Sequence, residues 1–228
     1  MRRRLPIWVT DTVALIIGVE LEKQSLPAEI RIDGDRLYID YQAISSGSGY
    51  VAPSVMLEFG ARSTGEPASL RDIAFDAAGL VEGVEFPTAS PKVMHAERTF
   101  WEKATAIHVF CLQERLRGDR FSRHWHDIVR LDDIGLADSA ISDRELANAV
   151  AKHKSMFFAE KAADRSPIDY ETAVNGKLLL TPAGEGQKAL REDYARMVDD
   201  GLLFDDAETF DELLERCAAI CKKANAAA

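Results

Sequence analysis

Residues 29–41, EIRIDGDRLYIDY, constrain the fold more tightly than any other part of the chain. Two runs of alternating apolar and polar residues flank Asp33-Gly34, the strongest short-range signal for a β-hairpin. With Asp33 and Gly34 as a two-residue loop, Ile30 lies across from Leu37, and Ile32, Ile39 and Tyr41 share that face. Arg36, Tyr38 and Asp40 then point to the opposite face. After the SSGSG segment, YVAPSVMLEFGARS reads as a third strand. It carries Val55, Leu57, Phe59 and Ala61 on one side and Met56, Glu58 and Arg62 on the other. A fourth strand is expected near residues 73–75 or 83–86.

From Ser90-Pro91 onward the apolar period changes from two to about 3.6. Helices are expected at about 91–117, 121–133, 143–158, 184–200 and 208–224, with Ser90 capping the first and Pro91 in its opening turn. The fold class is therefore α+β: a small antiparallel sheet in an α/β region (1–88), followed by a helical region (89–228) packed on it. A further helix is expected at about 7–24, burying Trp8, Val13, Ile16, Ile17 and Val19. The opening MRRR and the later VALIIGV imitate a secretory signal, but Asp11 interrupts the apolar run and no small-residue cleavage site follows. No run of eighteen apolar residues exists, which argues against a membrane span.

The formal net charge of −10 argues against general adsorption to nucleic acid or anionic membrane. Three cysteines, Cys111, Cys217 and Cys221, lack metal-ligand spacing and point to a reduced, cytoplasmic setting. The helix around HAERTFWEKATAIHV poses a sharper question. Phe100, Trp101, Ala104, Ile107, His108 and Cys111 share one arc of its wheel, yet Glu97 falls inside that arc and Lys103 at its border. Buried charge is costly unless paired, so both residues require partners.

Three blocks in order, VMLEFGAR, ERTFWEKATAIH and RFSRHWHDIVRL, resemble the AbiEii/AbiGii toxin family of nucleotidyltransferase-like proteins, over roughly residues 30–160. The family comprises toxin components of abortive-infection and type IV toxin–antitoxin systems. The resemblance implies a nucleotidyltransferase-like sheet, an NTP substrate, an RNA acceptor, Mg²⁺ held by acidic residues and a protein antitoxin as partner. It assigns Glu58 as a strand carboxylate and metal ligand, Lys103 as the helix lysine facing phosphate, and Asp127 as the second acid of an RDxxD-like motif. Glu97 matches the acid that opens the helix motif. His124 stands where the first acid of the RDxxD-like motif is usual. Arg123, beside it, belongs with Arg115, Arg117, Arg120, Arg130 and His126 to a cluster suited either to phosphate or to a solvated face.

Competing structural pairings remain open at this level: Lys103 with Glu97, Asp127 with Arg123 one turn away, and Glu58 with Arg62. His124, His126 and Asp127 could suggest metal, but two histidines spaced by one residue point to different sides of a helix and the further ligands a zinc site requires are lacking. Family enzymes open with a Gly-Ser turn followed by Asp-x-Asp. Here Gly47-Ser48 comes late without acids after it, and Asp33-x-Asp35 sits in the hairpin turn. The match is thus expected to begin after the first catalytic segment, with Asp40 the candidate second metal ligand. Two classes follow: a nucleotidyltransferase-like protein inactive in this form, or a non-catalytic relative that binds an antitoxin or other partner. A sheet lacking its leading strands would expose an edge, so a homodimer or partner dependence through residues 1–60 is expected.

Overall fold

The structure, a computed structural model, describes residues 4–43, 52–60, 64–115, 120–203 and 207–228. The chain divides into two compact units, Met1–Thr64 and Gly65–Ala228. Residues 65–88, which the sequence pattern grouped with the hairpin, belong to the second unit.

In the first unit, α1 (Arg4–Trp8), a π-helical turn (Val9–Val13) and α2 (Ala14–Lys23) precede the sheet. The strands β1 (Ala28–Asp33), β2 (Arg36–Tyr41) and β3 (Ser54–Glu58) form an antiparallel meander in the order β1-β2-β3. Ile30 pairs with Ile39 and Ile32 with Leu37, so the hairpin register is shifted by two residues from the expected one. The cause is Gly34, which takes a φ of +63° as the first loop residue, making the loop Gly34-Asp35. A shift of two preserves the faces, and Leu37 is fully buried as its pattern requires. Ala61 and Arg62, like Gly47-Ser48, lie outside the described residues.

The N-terminal helix corrects the expected burial. Val9 is fully buried and Val13 and Ile17 are half-buried, one stripe at i, i+4 and i+8. Gly18 approaches Ile30, where an added Cβ would lie 3.7 Å from Cδ1, so this side of α2 packs on β1. Trp8, Ile16 and Val19 are exposed instead. The segment is apolar around most of its circumference, and the sheet covers one stripe.

The second unit opens with a two-stranded antiparallel sheet, β4 (Ala68–Leu70) and β5 (Lys92–Met94). The expected fourth strand is therefore misplaced: Ile73 makes one bridge, to Ala89, and residues 83–86 carry no strand. Because Lys92–Met94 is extended, Pro91 does not open a helix. Instead α3 (Ala96–Gln113) starts after His95, with no side-chain cap. Then follow α4 (Arg123–Asp133), α5 (Leu136–Ser142), α6 (Arg144–Phe157), α7 (Tyr170–Thr172) with a π-helical segment (Ala173–Lys177), α8 (Gly184–Asp199) and α9 (Phe210–Ala226). The short α5 and the Tyr170–Lys177 segment have no counterpart in the sequence pattern.

Helix α3 is the axis of this unit, packed against α4, α5 and α6. Phe100, Trp101, Ala104 and Ile107 are fully buried, as are Trp125, Ile128 and Val129 of α4. Both tryptophans have their polar atom satisfied: Trp101 Nε1 donates to the Ala140 carbonyl at 2.8 Å, and Trp125 Nε1 to that of Leu180 at 2.7 Å. Asp193 of α8, with no exposed surface, accepts from the backbone N–H of Arg120 and of Ser122, each at 2.8 Å. That carboxylate fixes the entry of α4, and with it Phe121, Arg123 and His124.

Candidate functional site

The adjoining faces of α3 and α4 bring together two of the sequence-predicted residues. Lys103 Nζ donates to Asp127 Oδ2 at 2.6 Å, with the two side chains 22% and 37% exposed. The charge at the border of the buried arc thus finds its partner on the next helix. The open pairing with Glu97 resolves otherwise: half-buried Glu97 accepts from Ser139 Oγ of α5 at 3.3 Å. At this partial burial the Lys103–Asp127 pair leaves neither charge without a partner, which satisfies the requirement set by the helix pattern.

His124 stands one turn before Asp127, its ring 4.8 Å from that of Phe121 and nearly perpendicular to it. Its Nδ1 is buried without a hydrogen-bond partner among the described residues. Burial, then the cationic side chains of Lys103 and Arg123, push its pKa down to about 4, against a smaller opposing effect of Asp127. The imidazole is therefore neutral at ordinary pH. Arg123 is exposed at the first position of α4.

The sequence reading missed a second charged group, centred on Glu102. Its carboxylate accepts from Arg98 Nη2 at 3.1 Å and from Lys154 Nζ of α6 at 2.5 Å, and His153 Nδ1 lies 3.9 Å away. Arg98 is 4% exposed, and its Nε has no hydrogen-bond partner among the described residues. Lys103, Lys154, Arg98 and Arg123 gather around Asp127 and Glu102, with the Glu160 carboxylate lining the same cavity as Lys154, which leaves a small excess of positive charge suited to an anion. The signal available was α6's pattern: Lys154 follows Val150 and Ala151 by one turn, on the side that packs inward.

Glu58 belongs to the N-terminal unit. It ends β3 directly opposite Arg36, whose Nη2 donates to its Oε1 at 3.2 Å. Asp40 accepts from Arg31 Nε at 2.9 Å and from Ser54 Oγ at 2.5 Å, and these contacts hold its pKa below the usual carboxylate range. Asp40 pairs with Ser54 and Glu58 with Arg36, so four residues separate the two acids along the ladder. That is roughly 13 Å, whereas Mg²⁺ requires its oxygen ligands at about 2.1 Å. One Mg²⁺ cannot be held by both, and Asp40 does not supply the second ligand. Among the described residues no group of three or more His, Cys, Asp or Glu is arranged to hold a metal ion. Nor is any described helix long and apolar enough to cross a membrane.

Comparison with known proteins gives a match along nearly the whole chain: the family model described as nucleotidyl transferase AbiEii toxin, type IV toxin–antitoxin system, matches residues 1–216. No curated protein and no solved structure matches.

Proposed function

Because the chain belongs to the AbiEii nucleotidyl transferase toxin family, we propose that its helical unit receives the phosphates of a nucleotide at Lys103, while this chain by itself transfers little or no nucleotide. The observation that carries both halves is the set of ion pairs. Lys103 is a compact cation held by Asp127 on a face with surplus positive charge, beside Arg123, Lys154 and the unsatisfied edge of His124. An arriving phosphate replaces or joins the carboxylate on Lys103 Nζ, which has three donors. Asp127 acts by holding the ammonium in place, and Arg123 and His124 flank the anion. The acids assigned to metal, by contrast, stand four residues apart along the ladder, too far for one Mg²⁺, and each pairs with a guanidinium group, Glu58 with Arg36 and Asp40 with Arg31. We therefore route no chemical step through Mg²⁺ at these residues.

The test is incubation of the chain with labelled nucleoside triphosphates, Mg²⁺ and a pool of transfer RNA. The expected result is negligible labelling together with measurable nucleotide binding that weakens in Lys103→Ala. Robust labelling that disappears in Lys103→Ala would refute the inactive half of the proposal and leave the phosphate role standing.

A second reading, binding of an antitoxin protein or of a second copy without chemistry, is supported by a different observation. Trp8, Leu15, Ile16 and Val19 are each between 47% and 64% exposed on one short helical run. Helices apolar on all sides are ordinarily buried.

A further inference from the structure

One turn along α3 from Lys103 lies a cavity of about 120 Å³ whose lining includes Ala106 of α3, Phe121, Phe158 and Tyr170, with Lys154 and Glu160 as its charged members. We propose that this cavity receives the six-membered ring of a nucleobase; the proposal rests on the reading that a nucleotide phosphate engages Lys103. Four observations carry it.

The first is size. An apolar cavity of about 150 Å³ holds one benzene ring, so this one is the right volume for a single flat ring and too small for a whole nucleotide. The second is chemistry. Three of the lining residues are aromatic, and base–aromatic stacking is the usual means of holding a base without reading its sequence. The rings are fixed by their neighbours. Phe121 lies against Phe110 at 5.6 Å and His124 at 4.8 Å, and Tyr170 Oη donates to the Phe158 carbonyl at 2.7 Å. The third is position. Ala106 is three residues beyond Lys103 on α3, an axial rise of roughly 4.5 Å, and Phe121 touches the His124 that flanks Lys103. One nucleotide reaches from the lysine to the cavity. The fourth is Lys154. Its ammonium sits over the Phe158 ring at 4.9 Å and on Glu102 at 2.5 Å, which puts a second cation, with Glu160 as its counterpart, on the lining of a mostly apolar slot.

The base can belong to a free nucleotide or to the end of a single-stranded RNA, and the two sources are separated by the probes. Calorimetric titration of the full chain would use ribose 5-phosphate, adenosine and cytidine 5′-monophosphates, and a single-stranded RNA octamer. Base-containing probes are expected to bind roughly five- to a hundredfold more tightly than ribose 5-phosphate, the range that one stacked base supplies. A gain seen with the monophosphates assigns the base to a nucleotide; a gain confined to the octamer assigns it to the strand. Ala106→Phe, which fills the slot, and Phe158→Leu, which keeps apolar volume but removes the flat face, should each abolish the gain and leave ribose 5-phosphate binding unchanged. Equal binding of all probes, or a gain that survives both substitutions in proteins with wild-type melting temperatures, overturns the proposal. The phosphate reading fails separately: Lys103→Ala would then leave ribose 5-phosphate binding unaltered whatever the bases do.

Discussion

Lowering the pH from 7 to 5 should destabilise the helical unit by an amount set largely by two histidines. His108, 5% exposed on α3, has its pKa pushed down to about 4 by burial, and its Nδ1 accepts the Leu179 N–H at 3.2 Å. His124 is pushed to the same value by burial and by Lys103, Arg123 and Lys154, with Asp127 opposing. Each group protonates near 6.5 in the unfolded chain and near 4 in the folded one, so protons favour the unfolded state throughout that interval. Stability from these groups is complete above pH 6.5 and is lost as the pH falls toward 4. At about 1.4 kcal/mol per unit, the loss by pH 5 is about 2 kcal/mol for each histidine and about 4 kcal/mol for both. The paired carboxylates Asp133, Asp164 and Asp169 have pKa values below their ordinary ones, so their contribution disappears only at still lower pH.

Urea titration followed by tryptophan fluorescence measures this directly, because Trp101 and Trp125 are fully buried in the helical unit. With a slope of about 2–3 kcal/mol per molar urea, the midpoint should drop by roughly 1.5–2 M between pH 7 and pH 5. The double variant His108→Asn/His124→Leu should lose most of that dependence. Asparagine keeps an acceptor for Leu179, and leucine fills a site whose Nδ1 makes no hydrogen bond among the described residues. If wild type and double variant lose equal stability over this interval, the histidines are not the cause and the reasoning is wrong.

Asp193→Ala strands the N–H groups of Arg120 and Ser122 in a buried position and should cost about 2–4 kcal/mol in the same urea assay; a loss below 0.5 kcal/mol, roughly the noise of a surface change, would contradict its role at the entry of α4. Light scattering at low micromolar concentration should find a dimer, or a monomer that associates with its partner, with Ile16→Glu and Val19→Lys weakening either assembly. A monomer stable on dilution and indifferent to both substitutions would remove the assembly argument.

Legibility followed the range of the interaction involved. The hairpin faces depend on parity alone, so a register wrong by two residues still put Leu37 and Asp40 on opposite faces, with Leu37 buried. The buried face of α3 depends on a period within one helix, and it was readable down to His108. The short α5 and the Tyr170–Lys177 segment are too brief to show a period and form where the core requires them. In the N-terminal helix an apolar pattern on several sides could not say which stripe the sheet would cover.

The charges of the site mark the same boundary. A carboxylate and an ammonium leaning toward a buried face announce that partners exist, because unpaired they would be too costly there. They do not say which partners. Glu97 was as good a candidate for Lys103 as Asp127 was, and the choice was made by how α4 and α5 lie against α3, a property of packing with no local signature. Glu102 and Lys154 are 52 residues apart in sequence and meet only because α6 returns alongside α3. The residues that make the face electropositive were therefore the least readable part of the site. The family resemblance reached Lys103 and Asp127 because each lies inside a short block of sequence. It had no means of reaching Lys154, which only the folded chain places beside them.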